Sequence, residues 1–508
     1  MKKNLLYTFL LALALSVSSC LDKYPENAIL ADDAITTIDE ADQAVIGIYS
    51  SFLSGALYSG YLTLLPDIQT DLVYAINGYT NTYGDIWRWN DILATNSQIE
   101  SVYAALYTVI GRCNFLLDNA ENMRKKMTDD DALDRLDVYC GEAYFARALA
   151  YSELIKQFCK AYESDADAQN ELGVVLRTHY YSDEPIKRAS LYDSYQQVLS
   201  DLELAEKALA LGDDYDIAVD GYMYNSTYFN EYTVCALRAR IALYMKKYDE
   251  AIKYSTKVID SGHYFLSSAT QLYDSQYSYY QYMWTSDNST EVIWKIGFTS
   301  TSYGGALGQV FFNYDYNSMK PDYVPAQWVL SLYDSNDLRY STFFQTFTTG
   351  HTHGLTWPLL AKYWGNEGLY NEAQLLHVSM PKVFRLSEQY LIRAEAYVMN
   401  EDFAKAGKDI TTLRKARYST YGTSTAISKD NAMKIVEEER VKELFMEGFR
   451  LMDLKRWHKG FERTPQEQSL ENGSSLVVEK DDPLFVWPIP QHEIESPGAE
   501  IEPNESNK

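Results

Sequence analysis

The chain has 508 residues, of which 46% are hydrophobic and 23% charged, so its length and composition fit a globular protein with a sizeable core. Its formal net charge is −26, and removing Lys2 and Lys3 with an N-terminal signal brings the charge to about −28. That acidic balance argues against nucleic acid and anionic lipid as partners, and it is compatible with neutral sugars. The 44 tyrosines offer flat apolar faces with a hydroxyl, which suit sugar rings and protein interfaces alike.

The N-terminus has the pattern of a secretory signal. Lys2 and Lys3 precede an apolar stretch at residues 5–15, which is too short to span a bilayer comfortably. Small residues at 16–19 then precede Cys20, whose thiol can take a lipid. We therefore predict a lipid anchor on Cys20, and the alternative is a buried cysteine behind an ordinary signal peptide. No later segment of the sequence reaches the length of a membrane-spanning helix.

Apolar residues at helical spacing predict a series of long helices. The first begins after Thr37, which forms a capping-box pattern with Glu40, and its apolar positions include Ala41 and Val45. The next helices are predicted at about residues 98–124, 131–158 and 191–211. This pattern favours a mostly α-helical protein.

Two segments, residues 233–261 and 388–417, share the spacing of a tetratricopeptide-type helix hairpin. Small residues let the paired helices approach closely, and one aromatic residue wedges the turn. The matched positions, first segment before second, are Ala239/Ala394, Tyr248/Phe403 and Ala251/Ala406. We expect about four such antiparallel helix pairs to form a scaffold.

Helical periodicity fades in the middle of the chain, where Tyr, Ser, Thr, Gly and Trp become frequent. A strand is predicted at residues 291–298, and residues 475–494 end the fold with a strand-like run. We therefore predict a loop-rich, partly β region packed on the helical scaffold. The expected organisation is a signal peptide at 1–19, a lipidated tether at 20–36, an N-terminal helical region at 37–264, a variable region at 265–384 and a C-terminal region at 385–508 that completes the scaffold.

The sequence contains no G-x-S-x-G, H-E-x-x-H, P-loop or strand-following G-x-G-x-x-G motif. His351 and His353 could ligate a metal, but no carboxylate or cysteine lies close to them in sequence, so a solvent-facing loop is the stronger interpretation. No catalytic residue, metal ion or cofactor is predicted. Four cysteines lie in helical patterns without a CxxC pair, so buried free thiols are expected, with one disulfide as the alternative. They are Cys113, Cys140, Cys159 and Cys235.

A strongly charged helix is predicted at residues 437–457. Its acids and bases could suggest acid–base chemistry, but Arg440 with Glu443 and Glu447 with Arg450 are three residues apart and can neutralise one another. We expect an ion-pair lattice that fixes helix packing, not an active site. The predicted buried stripe of this helix contains Val441, Leu444, Phe445, Phe449 and Met452.

Several segments follow one another in the order of a known family. The most specific is ERVKELFMEGFRLMDLKRW at residues 439–457, with RAEAY at 393–397 before it and PIPQHEI at 488–494 after it. EAYFARALAYSELIKQFCKAY at 142–162 and LGVVLRT at 172–178 precede them. Together these segments resemble the SusD/RagB family of surface glycan-binding lipoproteins of Bacteroidota-type bacteria. The family's usual Asn-Pro-Gly-Tyr-like tail is replaced by IEPNES, and the middle of the chain resembles the family poorly.

This resemblance implies a lipid-anchored protein of the outer membrane that faces the cell exterior. It also implies non-catalytic binding of an oligosaccharide or polysaccharide and its delivery to a SusC-like TonB-dependent transporter. Uptake of peptides by the same kind of transporter is the alternative, and a glycan-cleaving enzyme is a second rival.

Two segments combine flat aromatic rings with planar polar side chains, which a sugar site requires. The first is residues 67–90, where the relatives place a loop that lines the glycan site, and the second is residues 273–284. The alternatives are that one of Trp87 and Trp89 is buried and that the second segment contacts the transporter. The candidate ligand-binding residues are Asp71, Tyr79, Asn81, Tyr83, Trp87, Trp89, Asn90, Tyr277, Tyr280 and Trp284.

Overall fold

A computed structural model of the protein describes residues 34–76, 82–90, 92–210, 218–219, 223–224, 226–312, 314–315, 318–319, 321–346, 357–422, 424–464 and 475–507. The predictions for the signal peptide, Cys20, Tyr79, Asn81, His351 and His353 lie outside these residues. Across the described ranges, no helix is both long enough and apolar enough to pass through a membrane.

Helices dominate the described part of the chain, which confirms the mostly α-helical prediction. They are α1 Ile38–Ser51, α2 Tyr61–Ile68, α3 Gly84–Arg88, α4 Ser97–Lys126, α5 Asp130–Phe158, α6 Asp165–Ala168, α7 Leu191–Leu209, α8 Glu231–Tyr244, α9 Tyr248–Ile259, α10 Tyr279–Thr285, α11 Gln327–Leu330, α12 Arg339–Phe343, α13 Glu367–Ala373, α14 Leu386–Met399, α15 Phe403–Arg417, α16 Ala432–Glu443, α17 Arg450–Arg456 and α18 Gln491–Ile494.

The strands are short and form antiparallel pairs, β1–β9, β2–β3, β4–β5, β6–β12, β7–β8, β10–β11 and β13–β14. They are β1 Val73–Ala75, β2 Leu172–Val175, β3 Arg188–Ser190, β4 Ala218–Val219, β5 Met223–Tyr224, β6 Val292–Lys295, β7 Tyr314–Asp315, β8 Ser318–Met319, β9 Tyr323–Pro325, β10 Phe344–Thr346, β11 Pro358–Leu360, β12 Lys382–Arg385, β13 Phe461–Arg463 and β14 Leu476–Val478. The strand predicted at residues 291–298 is therefore confirmed as β6.

Helix α1 shows how the local sequence starts an element. The Thr37 hydroxyl accepts a hydrogen bond from the Glu40 N–H at 3.2 Å, and the Glu40 carboxylate accepts one from the Thr37 N–H at 2.9 Å. These reciprocal bonds satisfy backbone donors that the first turn leaves unpaired. Ala41, Val45 and Ile48 are buried, so the predicted apolar spacing faces the core.

The two predicted hairpins are confirmed as α8–α9 and α14–α15, and α9 also packs against α14. Their turns have the same geometry. Lys246 and Glu401 occupy equivalent positions with φ of 58° and 59°. The N–H of Lys247 donates to the Ala242 carbonyl at 2.8 Å, and the N–H of Asp402 donates to the Tyr397 carbonyl, also at 2.8 Å. Each turn therefore closes the preceding helix with a left-handed residue.

The predicted ion-pair lattice around residues 437–457 is confirmed. Arg417 donates to Glu291 at 2.7 Å and to Glu443 at 2.9 Å, and Arg385 donates to the same two carboxylates at 2.9 and 3.0 Å. Arg339 binds Glu443 at 3.1 Å. Burial raises the pKa of Glu443, but the surrounding guanidinium groups lower it by more, so the pKa lies well below its usual value. These ionised pairs link the middle of the chain to its C-terminal helices.

The individual pairs predicted inside this segment are wrong. Arg440 binds Asp453 at 2.7 and 3.0 Å instead of Glu443, and Glu447 does not pair with Arg450. The prediction assumed one continuous helix, in which residues three apart are neighbours. The chain instead forms α16 and α17 with a break between them, so that spacing no longer applies to Glu447 and Arg450. Arg440 and Glu443 do share α16, but Arg440 reaches across the break to Asp453. Glu443 is bound instead by arginines from other parts of the chain.

The break between α16 and α17 has a clear backbone cause. Met446 and Gly448 have positive φ angles of 58° and 83°, which an α-helix does not allow. The buried carboxylate of Asp67 accepts hydrogen bonds from the N–H groups of Gly448 and Arg450, each at 2.9 Å. A residue from α2 therefore caps the start of α17. The predicted apolar stripe of the segment is buried, as expected.

Four cysteines of the described chain are buried free thiols, as predicted. Burial raises the pKa of Cys140 to about 11 and that of Cys235 to about 12, so both thiols stay protonated at neutral pH. The other two are Cys113 and Cys159.

Candidate functional site

A two-stranded ribbon positions the predicted ligand segments. Strand β1 pairs with β9 so that Val73 lies opposite Pro325 and Ala75 opposite Tyr323. The N–H of Ile76 extends the pairing by donating to the Asp322 carbonyl at 3.2 Å. One cavity opens at each end of this ribbon, and both are lined in part by residues of the first predicted segment.

The first cavity, which we call the Tyr61–Tyr83 cleft, lies at the Asp322 end of the ribbon and has a volume of about 660 Å³. That size falls in the range of pockets that hold small ligands. Its lining includes Gly60, Tyr61, Tyr83, Gln309 and Asp322.

Two half-buried tyrosines form the aromatic part of the cleft. The ring centroids of Tyr61 and Tyr83 are 5.7 Å apart, and the rings meet edge to face at 81°. Burial, helped by the nearby Tyr61 and Asp322, raises the pKa of Tyr83 to about 12. The phenol is therefore neutral at physiological pH and can donate as well as accept a hydrogen bond.

The backbone holds Tyr83 in an unusual conformation. Its φ is 59°, a left-handed value that is uncommon for residues other than glycine. Such outliers persist where the surrounding structure imposes them, and they concentrate at ligand sites. Gly84 follows directly, and a Cβ there would lie 2.6 Å from the Arg88 guanidinium. The short helix α3 thus begins in a tight turn that presents the Tyr83 ring to the cleft.

Polar groups stand beside these rings. Asp322 and Gln309 line the cleft, and the Tyr323 hydroxyl donates to the Thr82 carbonyl at 2.7 Å, which ties the start of α3 to β9. A carboxylate and a primary amide offer the acceptors and donors that sugar hydroxyls need. Rings and planar polar groups therefore meet in one cavity, as sugar binding requires.

The structure corrects the predicted ligand-binding role of Trp87, which lies in α3, and of Trp89, which directly follows it. Trp87 is 2% exposed and Trp89 is 8% exposed, so neither presents a ring face to a ligand. Trp87 donates from Nε1 to the Val73 carbonyl at 3.3 Å, and Trp89 packs against Phe461 and Phe485. Alternation along an extended chain would expose one of the two. The helical turn followed by a left-handed residue at Trp89 buries both.

The second predicted segment is corrected in the same way at Tyr280 and Trp284, which are 0% and 4% exposed. The Tyr280 ring lies 4.0 Å from the Arg417 guanidinium, and the Trp284 ring lies 4.3 Å from Lys362 and 4.6 Å from Lys382. Aromatic faces attract cations. Both rings therefore cover the cations of the buried lattice instead of a sugar, and with Trp87 they share one hydrophobic cluster.

Other tyrosines of that segment reach the surface. Tyr273 and Tyr279 are 38% and 40% exposed, and Tyr273 stacks on Tyr282 with ring centroids 3.6 Å apart. Tyr277, which was predicted to bind ligand, is half-buried and donates its hydroxyl to Glu367 at 2.5 Å. The exposed aromatic surface of the segment thus comprises different residues from those predicted.

The remaining predicted residues are separated. Asp71 is buried and pairs through both oxygens with Arg450, at 2.9 and 2.8 Å, so its carboxylate is occupied. It lines the second cavity and not the Tyr61–Tyr83 cleft. Asn90 lies exposed on the surface. Of the described residues predicted to bind ligand, Tyr83 lies in the cleft.

Sequence reasoning missed Tyr61, Gln309 and Asp322. Tyr61 opens the apolar run of α2, which resembles core, and the other two lie far away in sequence. Asp322 directly precedes β9, which pairs with β1, and its N–H donates to the carbonyl of Val310, the neighbour of Gln309, at 2.8 Å. A strand signal at both segments could have suggested that pairing, but three-residue strands are too short to show a period.

Within the described ranges, no group of three or more His, Cys, Asp and Glu side chains is placed to hold a metal ion.

Comparison with known proteins gives two family models that match this chain. One, described as the SusD family, matches residues 355–499, and the other, described as starch-binding associating with outer membrane, matches residues 21–243. SusD-like protein P38 of Formosa agariphila is 24% identical, with 91% of this chain and 92% of the relative covered. SusD-like protein P2 of the same organism is 21% identical, with 97% of each chain covered.

Solved structures share the fold over nearly the whole chain. A SusD superfamily protein from Bacteroides thetaiotaomicron is 24% identical, with 92% of this chain and 99% of that chain covered and a TM-score of 0.76. Surface glycan-binding protein A from Bacteroides fluxus is 20% identical, with 93% and 100% covered and a TM-score of 0.68. Since both ends of the sequence match models of one family, the chain belongs to the SusD/RagB family.

Proposed function

We propose that this protein captures an oligosaccharide without cleaving it and holds it in the Tyr61–Tyr83 cleft. The observation that carries this proposal is that two half-buried tyrosine rings line one cavity together with Asp322 and Gln309. Sugar C–H faces stack on the rings, while the carboxylate and the amide bind hydroxyl groups. Affinity is expected on the order of micromolar to millimolar, because hydroxyl groups must be desolvated.

Relatives support a carbohydrate ligand. One matching family model is described as starch-binding, and structural neighbours include a surface glycan-binding protein and a putative sugar binding protein from Bacteroides vulgatus. Hydrolysis finds less support in the cleft. Glycosidases commonly use two carboxyl groups across the sugar, whereas Asp322 is the only carboxylate among the described residues that line the cleft.

The proposed location is the outer membrane, with a lipid on Cys20 and the protein facing outwards. The description of the N-terminal family model supports association with this membrane. Replacing Cys20 with Ala should release the protein from the membrane fraction. A variant that stays in that fraction would show that the anchor is assigned wrongly.

The proposed partner is a SusC-like TonB-dependent transporter that receives the captured sugar. Stacked helix pairs such as α8–α9 and α14–α15 present a broad rigid surface, which suits docking to a large partner. Purification in mild detergent should recover a large barrel protein together with the lipoprotein. Recovery of the lipoprotein alone would count against a stable complex.

A glycan and peptide array on the soluble protein lacking residues 1–20 tests ligand class and site together. We expect a glycan to bind and Tyr61→Ala and Tyr83→Ala to weaken its binding about tenfold or more, as loss of stacking and hydrogen bonds predicts. Tyr181→Ala is the matched control, because this tyrosine is 73% exposed and lies outside the cleft.

Each other outcome of the array has a defined meaning. Binding of peptides without any glycan would replace the sugar with the peptide ligand. Product formation on long incubation would indicate an enzyme. Normal glycan binding by both cleft variants would place the site elsewhere on the protein.

A further inference from the structure

A second cavity, which we call the Trp328 cavity, lies at the opposite end of the β1–β9 ribbon and has a volume of about 600 Å³. Asp71 and Ala326 lie at that end of the ribbon and line the cavity. Trp328, Trp357 and Arg463 line it as well. Its size again suits a small ligand.

Arg463 is an unusual member of this lining. It ends β13 and is only 4% exposed. Its Nη2 donates to the carbonyls of Gln69 at 3.2 Å and Trp87 at 2.6 Å, and its guanidinium lies 4.4 Å from the Trp87 ring centroid. Its Nε atom has no hydrogen-bond partner, and no carboxylate of the described chain forms an ion pair with it.

The other large buried arginines of this protein are neutralised by acids. Arg339, Arg385 and Arg417 each bind at least two carboxylates. A buried charge without such a partner is costly. Burial accordingly lowers the pKa of Arg463 to about 9, although the group remains protonated at neutral pH. The wall of this cavity therefore holds a cation whose charge is incompletely compensated.

Two acids also line the cavity, and neither forms a direct ion pair with Arg463, although the charge of Asp71 acts on it from a longer distance. Both oxygens of the Asp71 carboxylate accept hydrogen bonds from Arg450, at 2.9 and 2.8 Å. Glu462 is exposed and therefore solvated. Arg463 thus lies in the cavity wall as a cation without a direct ion pair among the described residues.

Flat rings stand beside this cation. Trp328 is half-buried, and its Nε1 donates to the Asp71 carbonyl at 2.7 Å, which fixes the ring. The Arg450 guanidinium lies 5.5 Å from its ring centroid. Trp357 is held by a hydrogen bond from Nε1 to the Pro325 carbonyl at 3.2 Å. An indole face is a good surface for the C–H side of a pyranose ring, and the fixed orientation lowers the entropy lost on binding.

We propose that the Trp328 cavity is a second carbohydrate subsite that selects sugar acids, with a uronic acid carboxylate paired to Arg463 and its ring stacked on Trp328. This inference rests on the proposed carbohydrate function and adds the chemical class of the sugar. It differs from the neutral sugars that the net charge of −26 favours, because Arg463 is a local cation in an otherwise acidic protein. The planar guanidinium matches a carboxylate, and charge-assisted hydrogen bonds are roughly twice as strong as neutral ones.

The test compares acidic oligosaccharides with their neutral counterparts. Oligogalacturonates, alginate oligomers and hyaluronan oligomers are titrated into the soluble protein lacking residues 1–20, each beside a carboxyl-reduced form of the same chain. At least one acidic form should bind about tenfold or more tightly than its reduced form. The ratio of the affinity for the acidic form to the affinity for its reduced form should fall to about one in Arg463→Met and stay unchanged in Tyr181→Ala.

Arg463 is buried, so its variant is checked by far-UV circular dichroism and thermal unfolding. If Arg463→Met does not fold, two further measurements test whether the cavity binds the acidic ligand. Trp328→Ala should weaken the acidic ligand, and raising the salt concentration should weaken the acidic form more than the reduced form.

Equal binding of acidic and reduced forms to the wild-type protein would overturn the inference while leaving the proposed function intact. A ratio that survives in a folded Arg463→Met variant would also overturn it. If no carbohydrate binds, acidic or neutral, the inference and the proposed function are both wrong.

Discussion

At the scale of single residues, Gly60 shapes the Tyr61–Tyr83 cleft by letting two backbone segments touch. A Cβ at this position would lie 2.0 Å from the Gly55 carbonyl oxygen. The same carbonyl accepts a hydrogen bond from the Tyr61 N–H at 3.0 Å. The tight turn between residues 55 and 60 therefore sets where the Tyr61 ring enters the cleft.

Replacing Gly60 with Ala should lower the free energy of unfolding by about 1–3 kcal/mol, because the backbone must move to accept the methyl group. Glycan binding should weaken as well, since Tyr61 moves with the turn. Gly47→Ala is the control: a Cβ there meets nothing within 4 Å, and the residue lies inside α1. That change should raise stability by about 0.5–1 kcal/mol. Thermal and denaturant unfolding measure both effects, and equal responses would contradict the argument.

Lys455 is a buried amine without an acidic partner in the described structure. Its Nζ donates to the carbonyls of Lys156 at 2.6 Å and Cys159 at 2.8 Å. Burial lowers its pKa from 10.5 to about 7. Between these two values the unfolded chain binds more protons than the folded chain. The free energy of unfolding therefore gains a term that rises with pH in this window.

Lys455→Met removes that term. The stability of the wild-type protein relative to the variant should rise between pH 7 and pH 10, with a slope approaching 1.4 kcal/mol per pH unit at most, roughly the value of one proton. Denaturant unfolding at several pH values measures the difference. Parallel pH profiles would mean that Lys455 keeps its proton in the folded protein.

At the scale of elements, the two hairpins α8–α9 and α14–α15 place non-glycine residues at left-handed turn positions. Lys246 and Glu401 have φ near 58°, a region that disfavours a Cβ. Changing Lys246 to Gly should stabilise the protein by roughly 0.5 kcal/mol, since the relief of strain exceeds the entropy cost of glycine. Glu401→Gly should act in the same direction.

Thermal unfolding of the single variants and the double variant checks this pair. The Asn400 amide donates to Asp249 at 2.8 Å, so the two turns touch, and the double variant measures how far their effects depart from the sum of the single ones. Lys253→Gly inside α9 is the control and should destabilise, because its backbone is helical and gains nothing from glycine. A loss of stability in both turn variants would show that their side chains outweigh the strain.

Helices were predictable because their signals are local. Thr37 with Glu40 and the apolar spacing after them suffice to predict α1, and the matched Ala and aromatic positions predict both hairpins. The candidate site was not, because exposure depends on tertiary contacts. Trp87 and Trp284 have the composition of a sugar platform, yet cations and strands far away in sequence cover them. Tyr61 has the pattern of core and lies in the cleft.

At the scale of the whole molecule, the buried ion-pair lattice joins regions that are distant in sequence. Glu291 follows the N-terminal helices, whereas Arg385, Arg417 and Glu443 belong to the C-terminal ones. Each pair is essentially inaccessible to solvent, so each carboxylate depends on its guanidinium partners for compensation. The lattice therefore makes the stability of the middle region depend on the C-terminal scaffold.

Arg417→Met should lower the free energy of unfolding by about 3–5 kcal/mol, because it leaves Glu291 and Glu443 buried with fewer cations. Lys429→Met is the control, since Lys429 pairs with Glu401 in solvent and should leave the unfolding midpoint unchanged. Denaturant unfolding followed by tryptophan fluorescence and by far-UV circular dichroism reports tertiary and helical structure separately. In Arg417→Met the fluorescence transition should come first, because Trp284 and Trp357 lie in the hydrophobic cluster of the middle region, which loses its link to the helices. Coincident transitions with an unchanged midpoint would show that packing alone holds the middle region to the scaffold.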